Sequence, residues 1–261
     1  MFRGRDRIEV KSVDQLHIMR AAGLVVAQTL QRVAEAVRPG VSTAELDQIA
    51  AASIRDAGAT PSFLGYHGFP AHICVSVNDE VVHGIPGERR IEEGDVVSID
   101  CGAIVDGWHG DAAISVLVGQ VPADIAALSQ VTEKALWAGL AAARPGGRLS
   151  DVGHAVESAI RAAGPHYGIV EDYVGHGIGS SMHMEPAVPN YGKPGRGPRL
   201  LPGMALAVEP MVILGSPEVQ VLADDWTVVA SDGGMAAHWE HTVAVTEEGP
   251  WVLTALDDVR L

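Results

Sequence analysis

Four acidic residues and one histidine lie in or beside apolar, strand-like segments, where an unpaired charge is costly. They are Asp100, Asp111, Glu209, Glu240 and His176. An isolated buried carboxylate loses its hydration and is kept only when it is paired or holds a metal. No Lys or Arg lies within four residues of any of the four acids. Two divalent cations carry as much positive charge as four carboxylates carry negative charge, so the set has the composition of a two-metal site.

A short turn signal places two of these acids together. Asp106-Gly107 predicts a hairpin between the apolar segments on either side of it. In the register that this turn sets, Asp111 lies opposite Gly102, and Asp100 lies opposite Ala113. The two aspartates are then diagonal neighbours on one face, roughly 7 to 8 Å apart, and can flank one metal and reach a second about 3.5 to 4 Å away. A shift of one residue would separate them, so the prediction depends on this turn.

Composition limits the class of protein. The 261 residues are 47% apolar with 30 Gly, which is ordinary for a globular enzyme of one large domain or two small ones. No apolar run approaches the roughly 18 to 20 residues of a membrane span, and the charged N-terminus lacks the apolar core of a signal peptide. A net charge of −15 disfavours nucleic-acid binding. Two cysteines, far apart, indicate neither a disulfide framework nor a cysteine-rich zinc module, and we expect a cytoplasmic protein.

An internal repeat predicts the architecture. Arg38-Pro39-Gly40 recurs as Arg144-Pro145-Gly146, and residues 53–58 resemble residues 159–164, both displaced by 106 positions. A single duplication explains this shared offset better than a short repeat period does. Each half reads as two helices followed by strands, with Val13 and Asp14 capping the first helix. The predicted helices span residues 12–36, 43–57, 122–143 and 150–163.

Two such halves, at about 13–120 and 121–254, are expected to join their sheets side by side. This arrangement gives a continuous antiparallel core with helices on one side, and it brings the acids of both halves to a central seam. Residues 1–12 would be a short N-terminal extension. No linker interrupts the chain, so we predict a single domain over residues 1–261.

From about Val13 to Thr254 the chain resembles the type I methionine aminopeptidases of the short bacterial kind. The shared motifs, in order, are Asn78 to Pro86, Asp100 with Asp111, Gly175-His176-Gly177-Ile178-Gly179, His183, Glu209-Pro210 and Glu240-His241-Thr242. The resemblance implies the α+β pita-bread fold, with two pseudo-symmetric halves, a central antiparallel sheet and helices on its outer face. It also implies hydrolytic removal of the initiator methionine from nascent proteins whose second residue is small. The N-terminal zinc finger of some relatives is expected to be absent.

The resemblance also implies a ligand set. Asp100 and Asp111 would bind one metal, Asp111, His176 and Glu209 would reach the other, and Glu240 would bridge both. Oxygen ligands with one imidazole suit Mn, Fe, Co or Zn ions alike. In the family the two ions activate a bridging water, polarise the scissile carbonyl and hold the free α-amine of the substrate.

Three residues take catalytic or substrate-binding roles by the same resemblance. Glu209 would accept the proton from the water, His183 would stabilise the tetrahedral intermediate, and His83 would contact the scissile amide. Without the resemblance, His83 could equally be a turn residue. His183 lies seven positions after His176, which would face the wrong side of a straight strand, so a turn near residues 180–181 is expected.

An apolar pocket is expected to select the methionine side chain. Its residues, by the same resemblance, are Phe63, Tyr66, Phe69, Cys74, Met182 and Trp226. Soft sulfur against aromatic edges favours a thioether, although each of these residues alone would fit ordinary core packing. Cys101 is expected to face away from the site. The substrates would be peptides and nascent polypeptides with an N-terminal Met.

Two other classes stay open at this point. A prolidase or aminopeptidase P shares the fold, but usually carries a large extra N-terminal domain that does not fit before Val13. A binding protein that keeps the fold without catalysis typically loses metal ligands, whereas all five are present here. We expect a monomer, with contact to the ribosome left open.

Overall fold

The computed structural model describes residues 8–261, and part of the predicted extension over residues 1–12 lies outside this range. The α-helices are α1 (Val13–Ala36), α2 (Thr43–Asp56), α3 (Ala123–Ala142) and α4 (Leu149–Ala163). The strands of the first half are β1 (Thr60–Pro61), β2 (Ile73–Val77), β3 (Glu80–Val82), β4 (Val96–Val105) and β5 (Trp108–Leu117). Those of the second half are β6 (Tyr167–Ile169), β7 (Gly175–Gly177), β8 (Met184–Val188), β9 (Ala205–Val208), β10 (Met211–Leu214), β11 (Val219–Val221), β12 (Val228–Ala230), β13 (Ala236–His238), β14 (Glu240–Thr246), β15 (Gly249–Val252) and β16 (Val259–Arg260).

All four helices begin and end within one residue of the predicted bounds, but the predicted cap of α1 is wrong. Ser12, and not Val13 or Asp14, is the N-cap. Its hydroxyl accepts a hydrogen bond from the Gln15 backbone N–H, and the Gln15 side chain accepts one from the Ser12 N–H. This reciprocal capping box satisfies two backbone donors at the helix start.

The predicted hairpin is confirmed in strand and register. β4 and β5 pair antiparallel, with Asp111 opposite Gly102 and Asp100 opposite Ala113. The turn has Asp106 at φ 47° and Gly107 at φ 82°. Two consecutive residues with positive φ are typical of a type I′ turn, which matches the twist of the strands and fixes their register.

The two halves share one sheet, as predicted. The central order is β1-β4-β5-β14-β9-β7-β8, so β5 of the first half is hydrogen-bonded to β14 of the second. Across this seam Glu240 lies opposite Ala113, and His241 lies opposite Ala112. Because Ala113 also lies opposite Asp100 on β4, three adjacent strands place Asp100 and Glu240 on either side of one small residue.

The helices pack on the sheet through two separate apolar clusters. One joins α1 and α2 to β2, β4 and β5, with Val26, Leu30 and Ile54 among its fully or almost fully buried members. The other joins α3 and α4 to β9 and β14 through side chains such as Leu136 and Val156. Within residues 8–261, no helix is both long and apolar enough to cross a bilayer.

Candidate metal centre

The structure brings all five predicted ligands to one cavity of about 200 Å³. Candidate ligand atoms of Asp111, His176 and Glu240 lie within 4.8 Å of one another, and all three residues are buried. Asp100 reaches the cavity from β4, and Glu209 from the end of β9. Five different strands or strand ends therefore contribute one ligand candidate each.

The ring of His176 is oriented by its own neighbour. Its Nδ1 lies 3.0 Å from the carbonyl oxygen of Gly177, and its Nε2 lies 3.5 Å from Oε1 of Glu209. A proton on Nδ1 leaves the Nε2 lone pair free, which is the state in which imidazole binds a metal. The glycines on either side serve close packing, because a Cβ at Gly175 would clash with the carbonyl of Ala207 on β9.

Asp111 is held in place across the seam. Its backbone N–H donates to Oγ1 of Thr242 (3.1 Å), and the Thr242 hydroxyl donates to its carbonyl oxygen (2.8 Å). The Thr242 backbone N–H donates in turn to Oγ1 of Thr254. These bonds satisfy the buried main chain of Asp111 and leave its carboxylate to the cavity.

Burial disfavours the charged forms of the ligand candidates. It raises the pKa of Asp100 to about 7. Burial, with repulsion from neighbouring carboxylates, raises the pKa values of Asp111, Glu209 and Glu240 well above their usual range. Burial also lowers the pKa of His176 to about 3, so its ring is neutral. A bound cation would instead favour the charged form of these carboxylates and lower their pKa values.

The donor set fits divalent cations. Oδ1 of Asp100, Oδ1 of Asp111 and Oε1 of Glu240 are buried, and none of them makes a hydrogen bond to another atom in the described part of the chain. No Lys or Arg among residues 8–261 forms an ion pair with these three carboxylates. Orphaned buried oxygens are costly unless something else binds them, and an oxygen-rich site with one imidazole suits Mn, Fe, Co or Zn.

His83 lines the same cavity in an unusual backbone conformation. Its φ is 61°, a left-handed value that is uncommon outside glycine. The ring packs edge-on against Tyr173 and Trp226, with centroids 5.6 and 6.3 Å away. The next residue, Gly84, allows the close approach of the Val75 carbonyl. Strained conformations of this kind cluster at functional sites.

His183 reaches the cavity because the chain bends between β7 and β8. The bend covers residues 179–183, so the predicted turn is confirmed. The rings of His183 and His176 stand 4.2 Å apart in an edge-on arrangement. Nδ1 of His183 lies 2.9 Å from the hydroxyl of Tyr66, which fixes the direction of the ring.

The rest of the motif that contains His83 is structural. Asn78 has φ 64° and closes the turn into β3. Its side chain donates to Asp95 and accepts from the Val96 backbone N–H. Glu80 pairs with Arg89 at 2.7 Å. Polar residues of the motif therefore fix the segment that presents His83.

The six predicted pocket residues form one apolar cluster beside the ligands. All of them line the cavity: Phe63, Tyr66, Phe69, Cys74, Met182 and Trp226. Phe69 packs edge-on against Phe63 and Trp226, with centroids 6.4 and 5.1 Å away. The cavity wall thus combines a carboxylate-rich set with an apolar, aromatic set. Cys101 lies in the apolar cluster under α1 and α2, away from the cavity, as predicted.

His238 lies beside the ligand candidates but was not among the predicted site residues. Its Nε2 lies 3.7 Å from Oε2 of Glu209, and its candidate ligand atom lies within 4.8 Å of those of Glu209 and Glu240. The ring belongs to a residue only 1% exposed. Its position two residues before Glu240, with the alternation of side chains along a strand, was the signal that could have identified it.

Metal binding at this centre should stabilise the folded protein. At a free Mn²⁺ concentration 100 times the dissociation constant, binding should stabilise the fold by about 2.7 kcal/mol. For a chain of this size that is roughly 5 to 10 °C in Tm. Thermal denaturation of chelator-treated protein with and without Mn²⁺ measures the shift. The Glu240→Gln variant should lose most of it, and an equal shift in that variant would contradict the assignment.

Comparison with solved structures identifies the fold. A methionine aminopeptidase from Thermotoga maritima superimposes with a TM-score of 0.93 at 39% identity, covering 95% of this chain and 100% of that chain. The prolidase of Pyrococcus furiosus has the same fold with a TM-score of 0.75, at 22% identity over 95% of this chain and 66% of its own. The pita-bread fold and the carboxylate-rich centre together are typical of a metal-dependent peptidase.

Sequence comparison identifies the family. Residues 17–247 match metallopeptidase family M24. The methionine aminopeptidase 1 of Mycobacterium tuberculosis (strain CDC 1551 / Oshkosh) is 55% identical over 257 residues, which cover 97% of each chain. This chain belongs to metallopeptidase family M24 and, within it, to the methionine aminopeptidases. The likeness to prolidase is one of fold.

Proposed function

We propose that this protein is the metal-dependent aminopeptidase that removes the initiator methionine from nascent polypeptides whose second residue is small. One observation carries the proposal. A single cavity joins the five ligand candidates to six apolar, aromatic and sulfur-containing side chains. A cation centre in this cavity can hold the α-amine and the scissile carbonyl, while the apolar cluster beside it accepts a thioether side chain.

The ions, when bound, supply a water of lowered pKa and polarise the carbonyl. Glu209 is the proposed acceptor of the proton of that water, because its carboxylate lies in the cavity wall beside His176. His183, oriented by Tyr66, is placed to stabilise the charge that develops on the substrate. His83 is placed to contact the scissile amide. A positioned proton acceptor typically contributes about 10² to 10⁴ in rate.

We also propose that the centre holds two ions and that the whole chain is one catalytic domain. Asp100 and Asp111 would bind one ion, Asp111, His176 and Glu209 would reach the other, and Glu240 would bridge them. Four carboxylates match the charge of two divalent cations. The halves 13–120 and 121–254 each supply part of this set and share the β5–β14 seam, which supports a single functional unit.

The proposed setting is the cytoplasm, with the protein acting as a monomer on chains that are still being made. Two buried, unpaired cysteines, Cys74 and Cys101, fit a reducing compartment. The acidic net charge of −15 argues against direct binding to ribosomal RNA.

A direct peptide assay tests the proposed function. Purified protein, depleted of metal and then loaded with Mn²⁺, is incubated with Met-Ala-Ser or with Ala-Pro-Ala. We expect release of Met from the first peptide, no cleavage of the second, and no reaction in the chelator-treated control. Cleavage of Ala-Pro-Ala alone would favour a prolidase-like activity. Failure to cleave either peptide with metal bound would favour a binding protein that keeps the fold.

The second residue should control turnover. We expect kcat/KM for Met-Ala-Ser to exceed that for Met-Phe-Ser by roughly 100-fold or more, because even a single methylene in a confined pocket changes this ratio by about 10- to 200-fold. Met-Gly-Ser serves as a second small-residue control. Equal turnover of Met-Ala-Ser and Met-Phe-Ser would refute the size limit.

A further inference from the structure

The main chain of His238 is fixed by a buried pair of serines. Its backbone N–H donates to Oγ of Ser115 at 3.0 Å and to Oγ of Ser98 at 3.3 Å, and its carbonyl oxygen accepts from Ser115 at 2.9 Å. The two hydroxyls also bond to each other at 2.8 Å. Ser98 and Ser115 lie opposite each other on β4 and β5. The strands that carry Asp100 and Asp111 therefore also set the position of His238.

The ring of His238 faces the carboxylate oxygen of Glu209 that lies away from His176. Each oxygen of that carboxylate faces a different imidazole: Oε1 lies 3.5 Å from Nε2 of His176, and Oε2 lies 3.7 Å from Nε2 of His238. Nε2 of His238 is buried and makes no hydrogen bond within residues 8–261. The Glu209 backbone is anchored separately, because its carbonyl accepts from the side chain of Asn190 at 3.1 Å.

An unpartnered buried ring nitrogen is costly and calls for a partner. The distance of 3.7 Å exceeds the roughly 2.7 to 3.2 Å of an N–H···O hydrogen bond. The terminal torsion of a glutamate is soft, so a modest rotation of the Glu209 carboxylate brings Oε2 into range. A carboxylate that binds a metal through one oxygen typically receives a hydrogen bond at the other, which fixes its orientation.

We propose that His238 is a positioning residue, whose Nε2–H donates a hydrogen bond to Oε2 of Glu209 and holds Oε1 toward the metal centre. The inference rests on the proposed function, in which Glu209 is both a ligand and the proton acceptor. The alternative for the same ring is a sixth metal ligand, since its nitrogen, Glu209 and Glu240 form a second compact group. The side-chain amide of a glutamine can replace the imidazole N–H as a hydrogen-bond donor to Glu209. A glutamine at this position therefore separates the role of donor from the role of metal ligand.

The test compares His238→Ala with His238→Gln. Metal-free protein is titrated with Mn²⁺ by calorimetry, and kcat and KM are measured with Met-Ala-Ser. For His238→Ala we expect about 10- to 100-fold weaker Mn²⁺ binding with unchanged stoichiometry, together with a loss in kcat and little change in KM. His238→Gln should recover most of both, because its amide N–H reaches the same carboxylate.

His72→Ala is a control outside the cavity. The side chain of His72 is partly buried, and its Nδ1 pairs with Oδ2 of Asp47 at 2.8 Å. This variant removes a paired imidazole elsewhere in the fold, so it should lower Tm without changing Mn²⁺ affinity.

Three outcomes would overturn the positioning role. They are wild-type Mn²⁺ affinity and kcat in His238→Ala, a His238→Gln variant as impaired as His238→Ala, and loss of a whole metal equivalent from His238→Gln, which would mark a ligand. The titration needs no substrate. Failure of the wild-type protein to cleave Met-Ala-Ser would therefore count against the proposed function. The Mn²⁺ titration would still test the positioning role of His238.

Discussion

The Glu240→Gln variant is expected to lose at least about 10³-fold in kcat at every Mn²⁺ concentration. Glu240 belongs to both compact groups of candidate ligands, one with Asp111 and His176 and the other with Glu209 and His238. An amide keeps the size of the side chain but removes the charge that would bridge two cations. Metal ions contribute several kcal/mol of transition-state stabilisation, and each 1.36 kcal/mol is a factor of ten in rate.

The measurement is release of Met from Met-Ala-Ser, from equimolar Mn²⁺ to a large excess. Asp111→Asn should behave like Glu240→Gln, since Asp111 is the other carboxylate proposed to serve both ions. Glu247→Gln is the control, because Glu247 is an exposed acid just after β14, and it should turn over like wild type. Near-normal kcat in either ligand variant with folded, purified protein would rule out the two-ion centre.

The parts of the site that lie close in sequence were predictable. The Asp106-Gly107 turn sets a single register, and that register placed Asp100 and Asp111 on one face, as the structure has them. The internal repeat predicted that strands of both halves meet, and the β5–β14 pairing confirms it. Local turn chemistry and the two-residue period of a strand carry this information, so a single sequence was enough to predict these contacts.

Contacts between distant segments were not predictable from local pattern. Thr242 holds the main chain of Asp111 over 131 positions, and Ser98 holds that of His238 over 140. Neither contact leaves a local signature in the sequence, because a buried hydroxyl looks like any strand residue until the partner strand is known. For the same reason His238 was missed, although its spacing from Glu240 was visible.

The convergence of the pocket residues was predictable from the family resemblance but not from the sequence pattern. Phe63 and Trp226 lie far apart in the chain, and no periodicity links them, yet they join one cluster beside the ligands. Only the family resemblance predicted their convergence. What a single sequence lacks here is the path of the loops between strands, which depends on the assembled fold.

The last prediction separates residues that act on the substrate from residues that bind metal. His183→Ala should lower kcat by about 10² to 10³, the typical effect of removing one group that stabilises developing charge. The loss arises because that contact forms only in the transition state. Bound Mn²⁺ should stay the same, since the Nδ1 of His183 pairs with the Tyr66 hydroxyl rather than with a carboxylate. His83→Ala should likewise reduce turnover without releasing metal.

His176→Ala is the opposing case within the same cavity. Its ring packs 4.2 Å from that of His183, so both variants remove an imidazole from nearly the same place. Nε2 of His176, however, faces Glu209 at 3.5 Å with its lone pair free. This variant should therefore lose both activity and Mn²⁺ affinity, whereas His183→Ala loses activity alone. Elemental analysis and calorimetry beside the kinetics distinguish the two. Loss of a metal equivalent from His183→Ala, or full Mn²⁺ affinity in His176→Ala, would show that the two histidines have been assigned the wrong roles.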